Sequence, residues 1–262
     1  MRKVAIVTGG SSGIGRETCA ALYRSGAAVY EFSRRDMPQE GVTHMTVDVT
    51  DEEGVKAAVQ AIVAREGRID ILVNNAGFGI SGVIELTENA DARRLMEVNL
   101  MGAVSAAKAV IPVMRSQGDG KIVNLSSIAG AIALPYQAWY SISKAAVLAF
   151  SESLRNEVRQ FGIDVCTVLP GDIHTGFTDA REKSEAGNEL YGGSLNKSVK
   201  GMEKDERNGI SPAFAGAFIA RIALKKRSKP RYVIGNKYRL FLALADLLPN
   251  RTVSWIVGLL YG

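Results

Sequence analysis

The sequence predicts an α/β fold, with one doubly wound parallel sheet and helices on both faces, in a single domain over residues 1–262. Two features predict it. Short apolar runs rich in β-branched residues alternate with longer amphipathic stretches along most of the chain. A glycine-rich turn follows the first apolar run directly. Strands that alternate with helices form βαβ units, in which a parallel sheet is buried between two helical layers.

The elements follow one another in a regular order. The predicted strands are Val4–Val7, Ala27–Phe32, Thr43–Val47, Ile69–Val73, Lys121–Leu125, Ile163–Leu169 and Tyr232–Ile234. The predicted helices are Ile14–Arg24, Glu52–Glu66, Ala90–Met114, Trp139–Gln160 and Pro212–Leu224. Each strand is a short apolar run, whereas each helical stretch carries apolar residues at spacings of three and four.

Two segments depart from this alternation. From Asp172 to Gly209 the chain is rich in Gly, Ser, Asn and charged residues and shows only weak periodicity. Because this stretch follows a strand end, where ligands bind in open α/β sheets, we expect a lid over the substrate at 172–209. Residues 236–262 are strongly apolar but interrupted by charged residues and proline. They could pack on the core, line a substrate pocket, form an oligomer contact or lie on a membrane surface.

Composition excludes several other classes of protein. The chain has 262 residues, 47% hydrophobic and 23% charged, with a net charge of +5, which is typical of a globular domain and predicts no nucleic-acid partner. Cys19 and Cys166 lie in apolar stretches and are expected to be small buried side chains. His44 and His174 have no metal-ligand spacing, so no metal is expected. Neither a signal peptide nor a run of eighteen apolar residues is present, so a cytoplasmic location is expected.

The glycine-rich turn TGGSSGIG has the chemistry of a phosphate-binding loop. Gly9 permits a tight turn, Gly13 lets backbone approach a pyrophosphate, and Gly15 lets the helix pack on the strand. The amides at the helix N-terminus then face the phosphates. The loop therefore predicts a Rossmann-type dinucleotide-binding domain.

This spacing, TGxxxGxG, resembles that of the short-chain dehydrogenase/reductase family, and five further motifs resemble the family in order. They are Asp48-Val49 after the third strand, the run Asn74-Asn75-Ala76-Gly77, Asn99, the set Ser127, Tyr140 and Lys144, and Pro170-Gly171 with Ile173 and Thr175. The resemblance covers residues 8–175. Across the rest of the chain there is only a weaker likeness to the steroid- and retinol-type branch.

The resemblance implies which residues contact the cofactor. The implied set is Gly9, Ser11, Ser12, Gly13, Ile14, Gly15, Ser33, Arg34, Arg35, Asp48, Val49, Asn75, Ala76, Gly77, Tyr140, Lys144, Pro170, Gly171, Ile173 and Thr175. Asp48-Val49 is expected beside the adenine, and Ile173 and Thr175 are expected on the nicotinamide side.

The predicted catalytic residues are Asn99, Ser127, Tyr140 and Lys144. Tyr140 and Lys144 are four residues apart on a predicted helix and so share one face. Lys144, together with the positive ring of an oxidised nicotinamide, is expected to lower the pKa of Tyr140, which then transfers a proton to or from the substrate oxygen. Ser127 is expected to hold that oxygen. The family spacing favours Ser127 over its neighbour Ser126, and the resemblance gives Asn99 a role in a water-mediated proton path.

The end of the second strand favours NADP(H), with NAD(H) also possible. A 2′-phosphate requires cations, whereas NAD selection requires a carboxylate at the strand tip. Ser33 stands where NAD-using members of the family carry Asp, and Arg34 and Arg35 follow at once. Glu31 is the counter-argument, although it lies two residues inside the strand.

The sequence thus predicts an oxidoreductase that moves a hydride between a nicotinamide and a small-molecule carbonyl or alcohol. The apolar C-terminal segment favours a lipophilic steroid-, retinoid- or lipid-like substrate. The alternatives are a 3-oxoacyl carrier-protein reductase and a non-catalytic nucleotide-sensing module. A homodimer or homotetramer is expected. The basic run at 225–231 is compatible with peripheral binding of the protein to a membrane surface.

Overall fold

The computed structural model describes residues 2–261; Met1 and Gly262, the two ends of the predicted domain, lie outside the described residues. The strands are β1 (Val4–Thr8), β2 (Ala28–Ser33), β3 (Val42–Thr46), β4 (Ile71–Asn74), β5 (Ile80–Ser81), β6 (Gly120–Leu125), β7 (Ile163–Pro170), β8 (Glu182–Lys183) and β9 (Arg231–Ile234). The helices are α1 (Gly13–Arg24), α2 (Glu52–Glu66), α3 (Asn89–Met96), α4 (Gly102–Gln117), α5 (Ile128–Ala131), α6 (Ala138–Val158), α7 (Phe177–Ala180), α8 (Ser194–Arg207), α9 (Pro212–Ala223), α10 (Asn236–Ala245) and α11 (Asn250–Tyr261).

Seven strands form one parallel sheet in the order β3-β2-β1-β4-β6-β7-β9. The strand order reverses between β1 and β4, because the chain first builds outward to β3 and then returns to the other side of β1. In such sheets a crevice opens at the carboxyl ends of the strands at this reversal. The fold therefore places a ligand-binding crevice above β1 and β4, and the predicted fold class is confirmed.

Two apolar clusters cover the two faces of the sheet. On one face, Leu22 of α1 and Ile219 of α9 pack against buried strand residues. On the other face, Val59 of α2, Val110 of α4 and Leu154 of α6 do the same. Central strands that are buried on both sides consist of continuous apolar runs, and these runs are what predicted the strands from the sequence. Cys19 and Cys166 are buried and unpaired, as predicted.

The helix predicted over Ala90–Met114 is interrupted. Residues Glu97–Met101 form a π-helical turn between α3 and α4, and Asn99 lies within it. Together, Asn89–Gln117 are long and apolar enough to cross a membrane by length and composition alone. In the fold, however, α4 packs against β6 and α2 through buried side chains including Ala106 and Val110, as a core helix does.

The description of 172–209 as weakly periodic is wrong for part of the segment. Residues 194–207 form α8, which buries Leu195, Val199 and Met202 on one side. The short strand β8 pairs in parallel with β5, and Ile173 forms a bridge to Ile210. The segment is therefore attached to the domain at both ends and along its length.

Residues 236–261 form two helices, α10 and α11, joined by a short turn. Tyr238 of α10 donates from its hydroxyl to Asp172 Oδ2, and Tyr261 of α11 packs beside buried Val199 and Met202 of α8. The two helices therefore rest on the 172–209 segment.

Candidate active site

A cavity of about 1060 Å³ opens above the carboxyl ends of β1 and β4. It extends from the tip of β2, past the glycine loop, to the N-terminal half of α6 and the 172–209 segment. This is the position at which doubly wound sheets bind dinucleotides.

The cavity brings almost all of the predicted site residues together. Those lining it are Gly9, Ser11, Ser12, Gly13, Ile14, Ser33, Arg34, Arg35, Asp48, Val49, Asn75, Ala76, Gly77, Ser127, Tyr140, Lys144, Pro170, Gly171, Ile173 and Thr175. Gly15 and Asn99 lie behind the wall rather than on it. Gly15 packs under Gly9, and Asn99 is hydrogen-bonded to the backbone of Phe78; both Gly9 and Phe78 line the cavity.

The glycine loop is shaped by its backbone. Gly9 adopts a φ of 66°, a conformation that glycine reaches without steric cost. Gly15, in the first turn of α1, lies so close to Gly9 that an added β-carbon would overlap the Gly9 carbonyl oxygen. Close packing of α1 under the loop therefore directs the helix N-terminus into the cavity, where its free amides favour an anion.

Asn75 holds the loop in place. Its side-chain Nδ2 donates to the carbonyl oxygens of Thr8 and Gly9, each at 3.1 Å, and its backbone amide donates to Thr8 Oγ1 at 3.0 Å. Across the cavity, Thr175 packs against Gly13. Asn75 thus acts on the shape of the phosphate loop through direct hydrogen bonds.

Ser127 and Tyr140 meet at the catalytic end of the cavity. Ser127 follows β6 and caps α5, and its hydroxyl is close enough to the phenol of Tyr140 to affect the pKa of that phenol. Its neighbour Ser126 instead donates its hydroxyl to the backbone carbonyl of Lys144 at 2.7 Å. Both serines line the cavity, but the Ser126 hydroxyl is engaged by the backbone of α6, which agrees with the prediction of Ser127 as the substrate-side residue.

Lys144 and Asn99 lie behind Tyr140. Lys144 Nζ donates to the carbonyl oxygen of Leu125 at 3.0 Å and lies 5.8 Å from the centroid of the Tyr140 ring. Asn99 is buried; its Oδ1 accepts from the Phe78 amide at 3.0 Å and its Nδ2 donates to the Phe78 carbonyl at 2.9 Å. The π-helical turn positions this asparagine, since such turns re-aim one side chain within a helix.

Burial shifts the pKa values of Tyr140 and Lys144. It raises the pKa of Tyr140 to about 12, although the Ser127 hydroxyl and the charge of Arg181 act in the opposite direction. Burial also lowers the pKa of Lys144 to about 8. For the side chains alone, desolvation therefore outweighs the opposing effects, and the predicted lowering by Lys144 together with the nicotinamide ring stays a prediction. A tyrosine in this state keeps its proton at neutral pH, as a proton donor must.

The tip of β2 combines exposed cations with a buried acid. Arg34 and Arg35 are exposed at the cavity edge and have no ion-pair partner among residues 2–261. Glu31, in contrast, is 1% exposed, packs under Gly10 and is paired with His44 of β3. Glu31 does not line the cavity, and its carboxylate lies 3.2 Å from the hydroxyl of Ser33, which does.

The substrate side of the cavity is an apolar wall that the sequence did not assign residue by residue. Its members are Ile132, Leu134, Phe177, Met202, Phe241 and Leu260. The ring of Phe177 lies 5.7 Å from that of Tyr140. Phe177 comes two residues after Thr175 in the turn that carries the last family motif, and this position could have predicted that Phe177 lines the cavity. The contribution of Met202 and Phe241 depends on how α8 and α10 fold back, which no local pattern shows.

Fold and site together define a nicotinamide-dependent oxidoreductase that acts on carbonyl or hydroxyl groups. The chain belongs to the short-chain dehydrogenase family, since the family model described as short chain dehydrogenase matches residues 3–186. Members of this family bind NAD(H) or NADP(H) and act on small-molecule substrates. The predicted resemblance to the family is thereby confirmed.

Similar proteins cover nearly the whole chain. A 3-ketodihydrosphingosine reductase of Bacteroides thetaiotaomicron is 41% identical over 99% of this chain and 98% of its own length. A solved short-chain dehydrogenase from Streptomyces avermitilis has a TM-score of 0.85 and 32% identity, covering 94% of this chain and 93% of its own. The solved structure of ElxO with NADP bound has a TM-score of 0.73 and 26% identity, covering 92% of this chain and 100% of its own.

Gly77 keeps a space open between two predicted catalytic residues. A β-carbon added there would lie 2.9 Å from Asn99 Oδ1 and 3.4 Å from Lys144 Nζ. Its φ lies outside the left-handed region, so alanine is compatible with the backbone. We expect Gly77→Ala to lower kcat at least about tenfold, a barrier increase of about 1.4 kcal/mol, by displacing Lys144 or closing the predicted proton path.

Steady-state kinetics on the Gly77→Ala variant check this expectation. Gly201→Ala is the matched control, because no atom lies within 4 Å of a β-carbon at that position in α8. Circular dichroism spectra verify that both variants fold. An unchanged kcat in Gly77→Ala would show that the space between Asn99 and Lys144 is not used.

Proposed function

We propose that this protein is an NADP(H)-dependent reductase of a long-chain lipophilic ketone. The observation that carries the proposal is the continuity of the cavity, in which the phenol of Tyr140 opens onto the apolar wall that includes Phe177, Met202 and Phe241. An alkyl chain bound along this wall would be removed from water and so bound favourably. The similarity to a 3-ketodihydrosphingosine reductase supports a substrate of this kind.

The proposed chemistry follows from the side chains. The cofactor supplies the hydride when it is bound. Ser127 holds the substrate oxygen, Tyr140 donates its proton to that oxygen, and Lys144, largely charged below a pKa of about 8, supports the phenolate that remains. With its pKa raised by burial, Tyr140 is protonated at neutral pH and so has the proton that the reduction requires.

The cofactor preference rests on two arginines. The exposed guanidinium groups of Arg34 and Arg35 are available at the cavity edge to a 2′-phosphate, and the carboxylate of Glu31 is buried. A guanidinium binds a phosphate through two parallel hydrogen bonds. ElxO, a structural relative, has been solved with NADP bound, which supports the same choice here.

The 3-oxoacyl carrier-protein alternative is less well supported. An acidic carrier protein requires a basic surface around the cavity opening. At the substrate end of the cavity, four of the five acidic side chains are neutralised by a basic partner, so this end has no excess of positive charge. The pairs are Asp172 with Lys237, Asp179 with Arg207, Glu182 with Arg94 and Glu206 with Arg181, and Asp205 is the fifth acid. We retain a long-chain ketone free in solution or in a lipid phase as the substrate.

NADPH oxidation with a series of ketones tests the proposed function. The series comprises 3-ketodihydrosphingosine, shorter homologues of it, a steroid ketone, a sugar ketone and a 3-oxoacyl carrier protein. We expect kcat/KM to rise with chain length, by up to about fourfold for each methylene buried. Equal values for short and long ketones, or a preference for the carrier protein, would overturn the proposed substrate class.

We propose in addition a cytoplasmic homodimer or homotetramer. Met101, in the π-helical turn, and Ile142, in α6, are 43% and 44% exposed on elements that pack against each other. This apolar surface is separate from α10 and α11. Light scattering on wild type and on Ile142→Glu gives the mass directly, and a smaller assembly in the variant is expected.

The 172–209 segment is proposed to close over the substrate. Arg181, Lys183, Lys197, Lys200 and Lys204 are trypsin sites within it, yet the Arg181 side chain is 1% exposed and paired with Glu206. Cleavage at Arg181 therefore requires the segment to open. We expect NADP(H) plus a substrate analogue to slow cleavage across the segment, because closure orders it. Fragment masses over a digestion time course measure this.

Two other results of the digestion would contradict the lid. Equal cleavage rates with and without ligands would mean that 172–209 is an ordinary surface segment. Resistance of the ligand-free protein would mean that the segment is already closed by its contacts with α10, α11 or a second subunit.

A further inference from the structure

The two C-terminal helices, residues 236–261, are called the C-terminal hairpin below. Many of their apolar side chains face solvent instead of the core. Surface helices normally turn apolar side chains to the core and polar ones to water. The hairpin exposes seven of the fifteen exposed large apolar side chains among residues 2–261. They are Leu240, Leu244, Leu247, Leu248, Trp255, Leu259 and Leu260, between 38% and 82% exposed. An apolar surface of this density marks an interaction site.

The inner side of the hairpin is fixed to the cavity. The Tyr238 ring packs directly on Gly171, where a side chain would overlap it, and the Tyr238 hydroxyl donates to Asp172. Phe241 and Tyr261 line the cavity from the same side. Leu260 both lines the cavity and is 63% exposed, so the cavity mouth borders the exposed apolar side.

The charge of residues 225–262 is predominantly positive. Between residues 225 and 262 there are eight basic side chains and one acidic one, Asp246. Because the whole chain has a net charge of +5, residues 1–224 carry a net charge of −2. Lys237, Arg239 and Arg251 are exposed on the hairpin itself. Basic side chains beside exposed leucines and a tryptophan suit the headgroup region of an anionic bilayer.

A second copy of the chain suits this surface less well. A two-fold interface brings the same patch of both subunits together. Arg239 and Arg251 of one hairpin would then face those of the other, with Asp246 as the one acidic side chain of the hairpin; Lys237 is paired with Asp172. Like charges brought together in this way disfavour the contact.

The hairpin is too short to cross a membrane. By the rise of about 1.5 Å per residue, α10 is about 15 Å long and α11 about 18 Å, against a hydrocarbon core of about 30 Å. The helices therefore suit a position in the plane of the interface.

We propose that the C-terminal hairpin docks the protein on an anionic lipid bilayer, with the cavity mouth at the membrane surface. The docking stands on the hairpin alone. The docking would let a lipid ketone enter the cavity directly from the bilayer, and this part of the proposal rests on the proposed function. A long-chain ketone partitions into membranes, so a mouth bordered by Leu260 would spare it a passage through water.

Vesicle co-sedimentation of the full-length protein tests the docking without any substrate. We expect binding to vesicles of phosphatidylcholine with phosphatidylglycerol, weaker binding to phosphatidylcholine alone, and weakening by salt. The double variant Leu247→Glu/Trp255→Glu changes two side chains that are 82% and 64% exposed, so the fold should tolerate it. It should lose at least about tenfold in partitioning.

Two controls separate the hairpin from other surfaces. Phe214→Glu introduces one such charge at a 56% exposed site on α9 and should bind vesicles as the wild type does, whereas Leu247→Glu alone, which adds the same single charge on the hairpin, should bind more weakly. Arg239→Glu/Arg251→Glu should lose the preference for anionic vesicles. Trp255 is one of only two tryptophans, and its emission should shift to shorter wavelength on binding.

Each result decides the proposal. Binding that is lost in the hairpin variants and kept in Phe214→Glu supports it. Absence of binding, or equal binding by all variants, overturns it. A wild-type dimer that dissociates in Leu247→Glu/Trp255→Glu, without vesicle binding, would assign the surface to a second copy instead. Turnover of a short soluble ketone should be the same in wild type and variants, so failure of docking and failure of the proposed reductase are read separately.

Discussion

Tyr140→Phe is expected to abolish turnover while leaving NADP(H) binding nearly unchanged. The substitution removes the hydroxyl that lies beside Ser127 and keeps the ring that packs against Phe177. Without that hydroxyl the proposed proton donor is lost, and Ser127 remains only to hold the substrate oxygen. General acid catalysis of this kind contributes about 10² to 10⁴ in rate, so kcat should fall by at least 100-fold.

Cofactor titration and single-turnover kinetics separate binding from chemistry in this variant. NADPH affinity should remain within about threefold of the wild type. A kcat above about a tenth of the wild-type value would correspond to little over 1 kcal/mol of barrier, too little for the proton donor. Tyr232→Phe is the matched control, because it makes the same change in β9 at a tyrosine that does not line the cavity and whose hydroxyl accepts from the Lys229 amide.

The sequence could predict the sheet and the site because both depend on local patterns. Each central strand is buried on both faces, and most motif residues lie at a strand end or in the loop that follows it; Asn99, Tyr140 and Lys144 lie in helical segments. The carboxyl ends of parallel strands meet at one edge of the sheet. Correct strand assignment therefore brings Gly9, Asn75, Ser127 and Gly171 together without further information.

The helix α8 was missed although a signal for it existed. Leu195, Val199 and Met202 follow a spacing of four and three, as on one helical face. Gly192 and Gly193 precede the helix in left-handed conformations, and the glycines and charged residues around it dilute the apolar pattern. The apolar side of α8 is buried by Tyr136 and Tyr261, and no local pattern shows these distant partners.

The π-helical turn and the pKa of Tyr140 could not be predicted from spacing. One extra residue in a helical turn leaves the apolar period of the flanking helices nearly unchanged, so Ala90–Met114 was predicted as one helix. The pKa depends on the desolvation that the folded 172–209 segment imposes on Tyr140. Four roles are compatible with the pattern of the C-terminal residues; the structure shows that the inner side of the hairpin lines the cavity.

The double variant Ser33→Asp/Arg34→Gln is expected to reverse the cofactor preference. Ser33 is the last residue of β2, so an aspartate there places a carboxylate at the position that accepts ribose hydroxyls and repels a 2′-phosphate. Loss of Arg34 removes a charged hydrogen-bond partner, worth about 1.5–3 kcal/mol. The ratio of kcat/KM for NADPH to that for NADH should therefore fall by at least about 100-fold.

Three further proteins make the result specific. Arg34→Gln alone tests the phosphate contact without adding a carboxylate. This matters because Ser33 Oγ lies 3.2 Å from Glu31 Oε1, so an aspartate at position 33 would place two carboxylates side by side. Arg24→Gln, at the opposite end of α1, removes one exposed positive charge far from the cavity and should leave the ratio unchanged. The wild type itself must prefer NADPH. If it prefers NADH, or if Arg24→Gln and Arg34→Gln shift the ratio equally, the arginines at the tip of β2 do not select the cofactor.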